Sequence, residues 1–211
     1  MEHLPESLDE TYLRVLSQIP KANQPHAHRI LQCLVVAIRP LQVEELAELL
    51  SFKFDASQGE ISGHYDDWRW EDQNQAVLST CSSLVTIISD EHGRQFVQFS
   101  HPSVKEFLMS NRLGDFSRYH IHPLSAHTVL TRACLRVLIH WESHWDDAYD
   151  DHIDEESVKY CPLAEYAVRH WVEHARFGDV ASRVQDEIET LLDPDKPHFK
   201  TWARIYNMVN M

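Results

Sequence analysis

The sequence predicts a mainly α protein in which a group of helices is closed by a single β-hairpin and followed by a second, helical domain. Three observations carry this. Apolar residues recur at three- and four-residue spacing along most of the chain, as one buried helix face requires. Gly is scarce, at 5 of 211 residues. Turn chemistry separates one pair of β-branched or aromatic runs, Leu84–Ile88 and Phe96–Phe99, around Asp90-Glu91-His92-Gly93-Arg94. With 43% hydrophobic and 10% aromatic residues, a packed core is expected throughout. At this length two domains are expected.

Leu4, Leu8, Tyr12, Val15, Leu16 and Ile19 form one stripe between Pro5 and Pro20, which predicts a first amphipathic helix. From His26 to Ile38 the pattern is apolar almost all round, so this helix should be central. Arg39 and Pro40 end it. Leu41 to Leu50 predicts a short helix with Leu41, Val43, Leu46, Leu49 and Leu50 inward and Glu44, Glu45 and Glu48 outward. Residues Asp55 to Asp72 read as a polar loop pinned by Trp68 and Trp70, and Gln75 to Ser83 as a third helix. Three helices and then a hairpin is the element order of a winged helix. His101-Pro102-Ser103-Val104-Lys105-Glu106-Phe107-Leu108 opens one more helix, with Pro at its first position. After a hinge-like stretch from Gly114 to Pro123, helical patterns cover Leu124–Trp141, Ser157–His174, Val180–Leu192 and His198–Met208. The expected division is a leading helix in residues 1–22, a winged helix in 23–114 and a helical domain in 115–211.

A formal charge of −14 repels phosphate backbones and anionic lipid headgroups, and no basic patch interrupts it. Cys33, Cys81, Cys134 and Cys161 lie far apart in apolar stretches, which suits reduced, buried thiols and a cytoplasmic location. No apolar run reaches the roughly 18 residues of a membrane span, and the N-terminus is not built like a signal peptide. The chain opens almost at once into a helical pattern and stops within another, so it reads as a segment of a longer protein.

The string Leu4-Pro5-Glu6-Ser7-Leu8-Asp9-Glu10-Thr11-Tyr12 resembles the helix that follows the nucleotide-binding core in fungal NACHT-type signalling NTPases, relatives of NOD-like receptors. Arg39-Pro40-Leu41 with Glu44-Glu45-Leu46-Ala47, then Leu78 through Cys81-Ser82-Ser83-Leu84-Val85, then Phe99 through Leu108, resemble the same family in order and spacing. Tyr166 through His174 resembles its helical segment leading toward ankyrin or other repeats. The resemblance implies a non-catalytic regulatory module of a nucleotide-driven switch, with a role in signal transduction, innate immunity or fungal incompatibility. Its partners would be the ATPase core and the C-terminal repeats of the same protein, and its nucleotides the ADP and ATP bound by that core. No cofactor is expected in the segment itself. None of the five glycines precedes a lysine, as a phosphate-cradling loop requires. Winged helices of this kind also carry the name of a GPI-inositol deacylase, but no G-x-S-x-G elbow supplies a nucleophile here.

One residue carries the implied nucleotide contact. His101 stands where a strand meets a Pro-started helix and matches the winged-helix histidine that contacts the β-phosphate of ADP in the family. The alternative is that His101 caps the helix, with Ser100 and Ser103 as rival caps. Two other functions compete with this one. A DNA- or protein-binding adaptor is suggested by the fold, but between Phe54 and Asp90 the only Lys or Arg is Arg69, too little for phosphate contacts. A zinc-dependent hydrolase is suggested by His170-Trp171-Val172-Glu173-His174, an H-x-x-E-H pattern, with His140 and His144 at the same spacing. Yet 15 histidines in one chain produce such pairs by chance, and no third ligand stands out. Tyr119-His120-Ile121-His122 reads as linker. The acidic run from Asp146 to Glu156 lacks calcium-loop spacing and reads as a solvated loop.

Overall fold

A computed structural model describes residues 7–54, 61–64, 73–140 and 161–209. The start of the first stripe, most of the Asp55–Asp72 loop with both its tryptophans, and the region of Trp141, His144 and the acidic run lie outside these residues. The chain divides into two compact units, Met1–Leu50 with Arg69–Ala126, and Ser51–Trp68 with His127–Met211.

In the first unit, helix α1 runs Leu8–Gln18 and α2 runs Gln24–Val36 after a 3-10 turn at Lys21–Asn23. Ser7 starts α1 by accepting the Glu10 amide at 3.2 Å. The buried face of α1 is Tyr12, Leu16 and the following Ile19, while Leu8 is 58% exposed and falls outside the stripe. As its composition predicts, α2 is central: Ala27, Ile30, Leu31 and Cys33 are fully buried. Strand β1, Leu41–Gln42, leads into α3, Val43–Ser51. Helix α4 follows at Gln73–Cys81 and packs on α2. Strands β4, Val85–Ser89, and β5, Gln95–Phe99, pair antiparallel from Val85 opposite Phe99 to Ser89 opposite Gln95.

The hairpin turn is set by Asp90. Its Oδ1 accepts the amides of His92 and Arg94, each at 2.9 Å, and Gly93 supplies the left-handed conformation at φ +78°. Two details depart from the sequence reading. Leu41 and Gln42 are not helical but form a third strand on β5, giving the order β1-β5-β4. Glu45, expected to face outward, is 1% exposed in its side chain. Both follow from one arrangement: the Glu45 carboxylate accepts two bonds from Arg39, at 2.8 and 2.5 Å, and the Gln42 amide at 2.7 Å. This is the return half of a capping box reinforced by an ion pair.

Helix α5, Pro102–Leu108, leaves β5 directly. The expected hinge is instead a packed segment. A 3-10 stretch at Asn111–Tyr119 buries Leu113 and Tyr119, Ile121 is fully buried, and the Ile121 amide donates to the Leu108 carbonyl. Helix α6, Pro123–Ile139, crosses from the first unit to the second.

Among the described residues the second unit is helical apart from a short hairpin, β2 at Phe52–Phe54 with β3 at Ile61–His64, and β3 lies where the sequence suggested loop. Leu130, Ala133, Cys134, Leu135 and Leu138 of α6 are fully buried. Helix α7 spans Leu163–Ala175. The helix expected over Val180–Leu192 breaks at Val184 into α8, Val180–Arg183, and α9, Gln185–Leu192. Arg132 of α6 bonds the Glu187 carboxylate at 3.1 Å and the Arg183 carbonyl at 2.8 Å. The last helix, α10, spans Pro197–Val209 and packs on α7 and α9, with Trp171 and Trp202 edge to face at 6.3 Å. All four cysteines are free and buried, and burial pushes the Cys33 thiol up to about 12. No described helix is long and apolar enough to cross a membrane.

Candidate functional site

His101 sits between the last residues of β5 and the first turn of α5. Two features hold the junction. The Ser100 amide donates to the Leu84 carbonyl at 3.0 Å, closing the sheet one residue before His101. Pro102 then fixes a helical φ at the first position of α5. The backbone of His101 is extended, at φ −149° and ψ 143°, as an N-cap requires.

The imidazole itself is the cap. Its Nδ1 accepts the Ser103 amide at 3.2 Å, so neither serine named as a rival takes that place. An amide N–H can only donate, so Nδ1 must present its lone pair and the ring proton resides on Nε2. The Ser103 hydroxyl lies 2.6 Å from the same Nδ1 and therefore donates to it. With its proton spent there, Ser103 Oγ accepts from the Tyr12 hydroxyl, also at 2.6 Å. The result is a directed chain, Tyr12 O–H to Ser103 O–H to His101 Nδ1, which leaves an exposed imidazole with an Nε2–H donor.

Tyr12 comes from α1, where its ring packs against Phe107 of α5 at 5.3 Å between centroids. A second polar contact joins the same helix to the segment after α5. Arg112 binds the Asp9 carboxylate through both oxygens, at 2.9 and 2.8 Å, and lies over the Phe107 ring. Sequence reasoning placed Tyr12 in an apolar stripe. Its ring is indeed buried, at 7% exposure, but its hydroxyl has a polar partner 91 residues away that no local pattern signals.

In the H-x-x-E-H pattern both histidines are engaged with groups of the protein. His174 is fully buried, with Nε2 at 2.8 Å from the Tyr166 hydroxyl and Nδ1 at 2.8 Å from His127 Nδ1. His170 turns its Nδ1 to the Glu173 carboxylate at 3.0 Å. Both nitrogens of His174 are thus engaged within the protein, and a ligand histidine needs one lone pair about 2.0–2.1 Å from the metal. Burial first, then His127 and His170, lower its pKa to about 3. Among the described residues no group of three or more His, Cys, Asp or Glu is placed to hold a metal ion. One equivalent of zinc should leave the thermal midpoint unchanged, whereas stoichiometric uptake with a raised midpoint would favour the hydrolase reading.

His120 and His122, read as linker, lie against each other at 3.1 Å between ring nitrogens. The wing turn carries Asp90 and Glu91 beside Arg94, and Arg94 is already paired with Asp90 at 2.7 Å. That surface offers no phosphate-binding cluster.

Residues 15–118 match the family model described as the GPI inositol-deacylase winged helix domain, and this part of the chain is a winged helix. A curated protein of Monascus ruber, azaphilone pigments biosynthesis cluster protein L, is 30% identical over 217 residues, covering 99% of this chain and 43% of the relative. The chain therefore spans less than half the length of the curated relative it matches. No solved structure matches it.

Proposed function

We propose that this chain, winged over its first half, is a non-catalytic regulatory module of a NACHT-type signalling NTPase, in which His101 contacts ADP held by the ATPase core of the same protein. The supporting observation is the capped imidazole. A neutral ring with its proton on Nε2 offers a donor to a phosphate oxygen, and it is exposed at the end of strand β5. The order of the motifs from Leu4 to Leu108 and the length of the Monascus relative fit a module within a larger protein. The nucleotide would supply the charge that distinguishes the closed state, and this chain would supply one directed N–H. Its partners on this reading are the core and the following repeats, in the cytoplasm, with no nucleic acid or membrane.

The cap geometry also sharpens the test. His101→Ala removes both a cap and a donor, and the lost cap alone costs about 0.5–2 kcal/mol. His101→Asn keeps a strong capping acceptor and loses the Nε2–H. In the complete reading frame, His101→Asn should release ADP about 10- to 150-fold faster, the equivalent of a charge-assisted bond of roughly 1.5–3 kcal/mol. Release at the wild-type rate would leave His101 as a cap alone. A reading frame encoding no phosphate-cradling loop would overturn the assignment altogether.

A further inference from the structure

Tyr12, Ser103 and His101 share one hydrogen-bonded line, and its first member stands on a different helix from the other two. We propose that α1 regulates His101 through this line: the Tyr12 hydroxyl holds Ser103 in the orientation that locks the imidazole as the Nε2–H tautomer, so that withdrawing α1 unlocks it. The inference deepens the proposed nucleotide contact and rests on it for its biological sense, while the relay itself is a property of this chain alone.

Ser103 has one proton and two lone pairs. Without Tyr12 its hydroxyl can rotate to donate elsewhere, and Nδ1 keeps only the longer bond from the Ser103 amide. The Ser103 amide aimed at Nδ1 makes that nitrogen an acceptor, so the Ser103 proton goes to Nδ1 and the Tyr12 hydroxyl, 2.6 Å from Ser103 Oγ, donates to that oxygen and holds it in this orientation. Hydrogen bonds in such a line polarise one another, so removing the far end weakens the near one. Tyr12 and Ser103 are therefore positioning residues for His101. Helix α1 is held by this line, by the Tyr12 ring on Phe107, by the Asp9–Arg112 pair, and by the buried Leu16 and Ile19 as it packs on Ser82–Leu84.

The test reads the tautomer directly. Nitrogen–proton correlation spectra of the purified chain, taken well above the imidazole titration range, should show His101 wholly protonated on Nε2. Tyr12→Phe keeps the ring against Phe107 and should shift His101 toward the mixture of a free imidazole, and Ser103→Ala should shift it further. Ser103→Thr, which restores the hydroxyl, should return the wild-type spectrum. Asp9→Asn loosens the same helix without touching the line and should leave the tautomer unchanged. A Tyr12→Phe spectrum identical to wild type, or an equal shift from Asp9→Asn, would overturn the relay. ADP release from the complete protein is the separate arm. If Tyr12→Phe shifts the tautomer but neither it nor His101→Asn changes release, the relay stands and the nucleotide contact fails.

Discussion

Replacing Glu45 by Ala should lower the unfolding free energy by about 3 kcal/mol, because breaking a buried pair strands its partner and typically costs 3–5 kcal/mol. The lower end applies here. The Glu45 side chain is 1% exposed, but Arg39 retains 27% exposure and can regain water once the carboxylate is gone. Part of the loss is the cap, since the Gln42 amide at the start of α3 would lose its acceptor. Glu45→Gln keeps an acceptor for that amide and should cost about 1–2 kcal/mol. The damage should extend to the sheet, because Leu41 and Gln42 pair with Val97 and Phe96 of β5, the strand that ends next to His101. Denaturant unfolding is the measurement, with the midpoint falling at constant slope. A loss below about 1 kcal/mol would mean that solvent screens the pair as on an open surface.

How much of this was legible in the sequence depends on how far away each cause lies. The wing was readable because its determinants are local: Asp90, Gly93 and Arg94 form the turn within five residues. The His101 junction was readable for the same reason, since strand, cap and Pro102 are adjacent. Glu45 was misread because its neighbours Val43 and Leu46 define an apolar face that it only borders. What buries it is Arg39, across the turn. A two-residue strand such as β1 has no period to detect, and its pairing depends on β5, more than fifty residues on. Tyr12 and His174 fail in a related way. Tyr12 looks apolar in its helix, and His174 looks like half of a metal motif at i and i+4. The groups that define them are Ser103, 91 residues away, and His127, 47 residues away.

Acid should destabilise both units, with His174 the dominant site in the second and His28 in the first. The His174 pKa is lowered to about 3 by burial and by the neighbouring His127 and His170. That of His28 is lowered to about 4, by burial first and then by Arg29. The geometry agrees in both cases. His174 has its nitrogens committed to Tyr166 and His127. His28 donates to the His120 backbone, while its Nε2 is buried with no partner among the described residues, so an added proton there would meet no acceptor. Both groups are bases held neutral by the fold, whereas the unfolded chain takes up the proton near the ordinary value of 6.5. Between the unfolded and folded values the unfolded state therefore binds more protons, and stability rises with pH across that window. Their contribution is intact above about pH 6.5 and is lost progressively as pH falls toward 4 for His28 and 3 for His174. At about pH 4.5 each should have cost roughly 2–3 kcal/mol relative to pH 7. Urea unfolding at the two pH values measures the sum, and His174→Gln, which cannot titrate, should remove about half of the difference while lowering stability at pH 7. If His174→Gln and wild type lose the same stability on acidification, the His127–His174–Tyr166 network takes up its proton without strain and the buried neutral assignment of His174 is wrong.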